Sequence, residues 1–497
     1  MTRRLLSILT AALVLCSCGS NAGEGVSGET VVARDHVNGR GPQDATGRVE
    51  LAPERTEADC GRDERSEVSP GTPSPAEKAA AAWCLGTSRL YPETVPAVPK
   101  APRGYVPVQL SHYGRHGSRY ITGKGQYEEV ARVLDKAAAD GMLTPLGEEI
   151  HARYIEAMPV FIGRNGELTP LGAKQQQAIA RRMVGNFPRL FKGRKRAPAR
   201  VEAHSTNLER TMLSMLNFEV GLLQAAPSTQ VISDAARIEM GIIHQHFPEN
   251  PKVTPADLQW KGLDAPWRPD FDRWCETVLN WREFCGSLFK DADYICSLSD
   301  PVLFERTYFI VAQSLISSPA GECGMLGAFS ENELHSLGKL ENYTFYVEKS
   351  RWPGGNRRGC FLSEVVLGDI IDKVPQDIAD GTRVRLRFGH DGCIMALLAM
   401  MKMEGWDAEI DDPGEAWKVW DASRIPMACN LQFVIFAPRS KASSPAAEDL
   451  LVMMMLNEEP LTLNIPAVKD YYYRWTDFVA YCNPLLEEAR AALAENR

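Results

Sequence analysis

A chain of 497 residues, 44% of them hydrophobic, can bury a large core and has room for one large or two medium domains. Its formal net charge of −9 gives bulk electrostatics no reason to draw nucleic acid. The apolar run Leu5–Leu15 is too short to cross a bilayer as a helix.

Arg3 and Arg4, that run, and the small residues after it read as a signal peptide. Leu15-Cys16-Ser17-Cys18 resembles a bacterial lipobox. Bulky Leu15 disfavours Cys16 as the modified residue, so Cys18 is the expected lipid anchor and residues 1–17 the removed peptide. An envelope lipoprotein follows, facing the periplasm or the outer surface. The competing reading is an ordinary secreted protein cleaved near Ala22. Residues 18–76, rich in Gly, Pro, Glu, Arg, Ser and Thr, read as a disordered tether. Ordered structure is expected from the Ala-rich Pro75–Leu85, followed by an extended Pro92–Pro102. Ten cysteines lie beyond Cys18: Cys60, Cys84, Cys275, Cys285, Cys296, Cys323, Cys360, Cys393, Cys429 and Cys482. Their even number and an oxidising envelope are compatible with disulfides, and equally with buried thiols. None has CxxC or zinc-ligand spacing.

Val106, Val108 and Leu110 alternate as a strand into Leu110–Tyr120, where Gly114 and Gly117 break the run and a helix is expected from about Tyr127. Thr144-Pro145 and Thr169-Pro170 each place a capping Thr before a first-turn Pro, which predicts helices over 145–157 and 170–185. The basic run Arg189–Arg200 reads as a solvated loop that could steer a polyanion. Val201–Ala203 reads as a strand and His204–Leu223 as a helix with Met212, Met215, Leu216 and Val220 on its apolar side. Residues 235–375 turn Trp-rich and helical, with helices over Pro301–Ile316 and Asn332–Glu348. They are expected to form an inserted cap between 77–234 and 376–497. Arg383–Phe388 alternates as a strand that ends at Gly389-His390-Asp391. A Met-rich helix over 393–403, strands at Leu431–Phe436 and Leu450–Leu456, and a helix over 467–495 complete the chain.

Strand, Gly-bearing loop and helix is a geometry that aims backbone N–H groups at an anion. Arg115 and Arg119 flanking His116 make that anion phosphate, whose oxygens match the guanidinium fork. This Arg115–Arg119 segment resembles the RHGxR signature of the histidine phosphatase superfamily, in the branch of histidine acid phosphatases and phytases. Leu168–Gly172 resembles the family's LTxxG segment, and Ser205-Thr206 with Arg210 and Ser214 its ST…R…S segment. His390-Asp391 resembles its HD pair, and the match spans about 100–465. The resemblance implies an α/β fold, a three-layer α/β/α sandwich with a mixed central sheet of the phosphoglycerate mutase-like kind, plus a mainly helical inserted cap. It implies a phosphohistidine route with His116 as nucleophile, Asp391 as proton donor, Arg115, Arg119, Arg210 and His390 on the phosphate, and no metal or other cofactor. The partner is a small-molecule phosphate monoester. Multiple inositol polyphosphate phosphatases of this branch carry HAE where this chain has His390-Asp391-Gly392, so inositol polyphosphates stay open as substrates without being implied.

Two other readings compete. His390 and Asp391 could be ligands of a metal-dependent phosphohydrolase, although further His and Asp ligands at suitable spacing are missing upstream. Alternatively, the protein could bind phosphate esters without turnover. Among the remaining histidines, His112 lines the pocket or orients a neighbour, His204 reads as structural, and His244-Gln245-His246 lacks partners for a metal. Asn342-Tyr343-Thr344 fits a glycosylation sequon of little meaning in a bacterial lipoprotein.

Overall fold

The computed structural model describes residues 83–193, 196–355 and 357–494. The signal peptide, Cys18, the tether, Cys60, most of Pro75–Leu85, and Arg194 and Lys195 lie outside the described residues.

Arg383–Phe388 shows how the sequence builds the sheet. In β4 (Thr382–Gly389) the apolar half of the alternation, Val384, Leu386 and Phe388, enters one buried layer. Arg385 and Arg387 face the other layer and are matched there by carboxylates, whereas Arg383 donates to the carbonyls of Arg189 and Lys192. Arg385 binds Asp377 at 2.6 Å, and Arg387 donates to Asp369 at 2.8 Å, both partners lying on helix Glu364–Asp380. Period-2 alternation thus makes a strand with two buried faces, provided that each buried guanidinium finds its anion.

β1 (Tyr105–Arg115) lies between β4, to which it is parallel, and the antiparallel β5 (Asn430–Pro438). Beyond β4 come β2 (Ala199–Ser205) and β3 (Thr229–Asp234), both parallel. Beyond β5, β6 (Leu451–Leu456) pairs antiparallel with β7 (Glu459–Pro460) and with β9 (Tyr472–Arg474), which pairs with β8 (Ala467–Lys469). The order β3-β2-β4-β1-β5-β6-β9-β8 makes one mixed sheet. Helices Pro170–Asn186 and Glu209–Ala225 cover one face, and Glu364–Asp380, Asp391–Met400 and Trp475–Ala494 the other. This is a three-layer α/β/α sandwich.

A third apolar core belongs to a helical body. It draws on 265–347, within the expected insertion, and also on Gln126–Ala139 and Pro145–Phe161 from the stretch before it. Thr144 and Thr169 cap as expected, each accepting from the glycine N–H three residues on at 3.1 Å. The helices they start reach Phe161 and Asn186, somewhat beyond the expected ends.

Four local expectations are corrected. β1 does not break at Gly114, because neighbours on both sides carry its ladder through Gly114 to Arg115. His204 belongs to β2, and the helix after it starts at Glu209. That helix buries Met215, Phe218 and Leu222, leaving Leu216 and Val220 exposed, since it has more apolar residues than one face can cover. Residues 467–474 form the β8–β9 hairpin, turning at Asp470 (φ 46°), so the last helix starts at Trp475. Of the nine described cysteines all but Cys296 are buried, and Cys275, Cys285, Cys296, Cys323, Cys360, Cys393, Cys429 and Cys482 are free thiols.

Candidate active site

The loop after β1 is locked by helix Pro170–Asn186. Gln176 Nε2 donates to Arg115 O at 2.9 Å, Ser118 N–H to Gln175 Oε1 at 3.0 Å, and Thr169 N–H to Ser118 O at 2.8 Å. The two backbones touch at glycines. A Cβ on Gly117 would lie 2.4 Å from Gly172 O, and one on Gly172 2.2 Å from Ser118 O. Only glycine at both positions permits that approach. Gly117 N–H donates to Ser214 Oγ at 3.0 Å, which fastens the loop to helix Glu209–Ala225 as well.

His116 is fully buried. Its Nδ1 lies 2.9 Å from Gly117 O, and its Nε2 has no hydrogen-bond partner. A carbonyl only accepts, so the proton is assigned to Nδ1 and the lone pair to Nε2. Burial, then Arg210, Arg115 and Arg119, hold its pKa well below the ordinary imidazole value. The ring is neutral, with one bare nitrogen.

Arg115, Arg119, Arg210, His390 and Asp391 all gather round this ring. Arg210 stands in the first turn of its helix, and Arg119 donates to Tyr120 O at 3.0 Å. The His390 ring centroid is 5.6 Å from that of His116, and its Nε2 is 3.4 Å from Thr206 Oγ1. Burial, followed by His244, Arg210, His116 and Arg115, holds His390 neutral too. Asp391 opens helix Asp391–Met400, its Oδ1 accepting from Gly392 N–H at 2.7 Å and its Oδ2 2.6 Å from Arg115 Nη2. Both side chains of that ion pair are fully buried. Such an arrangement can bind a tetrahedral oxyanion among guanidiniums and a helix N-terminus, with a nucleophile and a carboxyl group beside it.

Two more groups, His244 and Lys349, stand at the site without a local sign in the sequence. The His244 ring lies tilted against that of His390, 4.4 Å centroid to centroid, and burial with Lys261 and Lys349 as the next causes keeps it neutral. Lys349, at the end of helix Glu331–Lys349, lies over Gly392, where a Cβ would come 2.8 Å from its Cε. His112 does not line the pocket. It packs between Phe218 and Phe388, and burial with Arg387 lowers its pKa to about 3. Among the described residues one trio, His204, Asp234 and Glu239, has metal-ligand spacing. His204 Nε2 lies 3.0 Å from Arg385 Nη1 and must accept there, which puts its proton on Nδ1, 3.4 Å from Glu239. No lone pair then remains for an ion.

Fold and site together are those of an α/β/α enzyme that handles an oxyanion at the carboxyl edge of its sheet. The model of the histidine phosphatase superfamily (branch 2) matches residues 114–437, and the chain belongs to that family. It is a phosphatase, a hydrolase of phosphomonoesters. Multiple inositol polyphosphate phosphatase 1 of Gallus gallus is 25% identical over 380 residues, covering 73% of this chain and 79% of that one. Two solved structures share the fold. The multiple inositol polyphosphate phosphatase of Bifidobacterium longum, in complex with inositol hexasulfate, has a TM-score of 0.61 at 17% identity, covering 80% of this chain and 97% of that one. The phytase from D. castellii has a TM-score of 0.58 at 12% identity, covering 84% and 88%.

Proposed function

We propose that the protein hydrolyses phosphomonoesters through a phosphohistidine on His116, without a metal, and that inositol polyphosphates are among its substrates. The observation that carries this reading is the Nδ1 contact to Gly117 O, which leaves Nε2 bare on a ring that lies in the field of Arg210, Arg115 and Arg119. Nε2 attacks phosphorus, the P–O ester bond breaks in line, and Asp391 gives its proton to the leaving oxygen. Water then attacks phosphorus, the P–N bond breaks, and Asp391 takes the water's proton. Arg115, Arg119, Arg210 and His390 hold the phosphate oxygens throughout.

At rest Asp391 is held in a buried ion pair with Arg115. An incoming phosphate competes for that guanidinium and so frees the carboxyl group to serve as the acid of the first step. The same pair argues against a metal on Asp391, since an ion there would face a guanidinium. The substrate proposal draws on the names of the relatives and on Lys261 and Lys349 beside the site. Localisation in the envelope through a lipid on Cys18 is part of the proposal and rests on the lipobox alone.

The test is phosphate release from an aryl phosphate and from phytate, with labelled enzyme trapped by rapid quenching in alkaline denaturant. An acid-labile, base-stable phosphoenzyme unaffected by chelator is expected. Activity abolished by chelation and restored by a divalent ion would overturn the metal-free route. Tight binding of phosphate esters without any release would favour a binding protein instead.

A further inference from the structure

Arg115 is held from three sides. Nη2 pairs with Asp391, and Nη1 donates both to Thr87 O at 2.5 Å and to Ile425 O at 3.0 Å. The two carbonyls come from segments distant in sequence, the turn Gly86–Ser88 and the residue after the turn Ala422–Arg424. A short turn on its own holds a carbonyl loosely, so something must fix both turns.

Both are fixed by neighbouring residues of one helix, Glu331–Lys349 of the helical body. The Glu341 carboxylate accepts from Thr87 N–H at 3.0 Å and from Thr87 Oγ1–H at 2.5 Å. It sits so close to the turn that a Cβ on Gly86 would come 1.6 Å from its Oε2, and Gly86 has φ 49°. Asn342, fully buried, accepts from Ala422 N–H through Oδ1 at 2.8 Å, while its Nδ2 donates to Gly338 O at 2.9 Å. Glu341 therefore acts on Arg115 through Thr87, and Asn342 through the turn that runs from Ala422 to Ile425.

We infer that Glu341 and Asn342 are positioning residues for Arg115, holding the two backbone carbonyls that aim its guanidinium between Asp391 and the transferred phosphate. The sequon at Asn342 is accounted for as well, since its amide is an internal hydrogen-bonding group. Through this pair the helical body reaches the reacting phosphate without touching it.

The inference rests on the assignment of Arg115 to the phosphate, and the experiment separates the two. Glu341→Ala, Glu341→Gln, Thr87→Val and Arg115→Lys are compared, with Glu341→Ala also combined with Arg115→Lys. The readouts are kcat and KM on an aryl phosphate, the inhibition constant of inorganic phosphate, and Tm. Glu341→Ala is expected to lower kcat/KM by about ten- to a hundredfold and to weaken phosphate inhibition. Gln keeps the size and one oxygen to accept from Thr87 N–H, and its amide N–H can donate to Thr87 Oγ1 in place of the second acceptor, so it should restore most of the loss. Thr87→Val, which removes one donor with little change of shape, should lie between. On the Arg115→Lys background the further loss from Glu341→Ala should nearly vanish, because its effect passes through Arg115. Independent, multiplicative losses would overturn the inference. So would Glu341→Ala at wild-type activity, or Glu341→Gln as impaired as Glu341→Ala. If Arg115→Lys alone leaves activity and phosphate inhibition unchanged, the assignment of Arg115 itself fails.

Discussion

The site at the sheet edge and the core of the helical body bury titratable groups with opposite results. Around His116 the charges that act on the ring are those of Arg210, Arg115 and Arg119, so burial and charge both keep it neutral. In the helical body Glu305 is fully buried, neither of its oxygens has a hydrogen-bond partner, and Glu333 and Glu283 are its charged neighbours. Burial and then those like charges push its carboxyl up to about 8. In the first region the perturbation prepares a nucleophile. In the second it serves no chemistry that the structure shows, and it opposes folding at neutral pH.

Four measurements press on this contrast. The largest effect belongs to His116→Ala, expected to lower kcat on an aryl phosphate by on the order of 10⁴-fold with an unchanged fold. Substantial residual turnover would place the nucleophile elsewhere. Asp391→Asn should cost about 10²- to 10³-fold on an alkyl phosphate and far less on an aryl phosphate, whose leaving group needs little protonation. Equal losses on the two would remove Asp391 as the acid.

Third, Glu305→Gln should stabilise the fold by about 3 kcal/mol at pH 7, measured by denaturant unfolding. The folded pKa is raised above the unfolded value, so stability is full below pH 4.5 and falls as pH rises towards 8. The gain from Gln should therefore vanish in acid, and a gain independent of pH would refute the cause given. Activity should not change. The smallest expected change is none at all: His116 ring nitrogens followed by NMR should keep neutral shifts from pH 7 down to about pH 5 without phosphate. An imidazolium appearing near pH 6.5 would contradict the electrostatics of the site.

What the sequence reveals tracks how local the signal is. The Arg115–Arg119 cluster, the Thr-Pro caps and the alternation before His390-Asp391 each lie within a few residues, and each stands in the element expected. Strand ends were less legible. β1 runs on to Arg115 because β4 and β5 flank it, and a window around Gly114 contains neither. Leu216 and Val220 misled for a related reason, since periodicity ranks apolar residues without knowing which helix face meets the sheet. His244 and Lys349 could not be read at all. The first looks like half of an isolated His-x-His, the second like an ordinary lysine beside Glu348, and only tertiary packing brings them to His390 and Gly392.

The place of β1 also bears on how the chain comes to be folded. Both of its sheet partners lie late in the sequence, with Leu110 opposite Val384 on one side and Val434 on the other. Closing such long loops is entropically costly before any ladder forms, so this pairing belongs to the slow, late part of folding. During synthesis His116 emerges long before Asp391, and an N-terminal fragment has no strand against which to set β1. Any chain cut before Thr382 thus leaves β1 without either of its strand neighbours, and competence for catalysis arrives only once nearly all of the polypeptide is available.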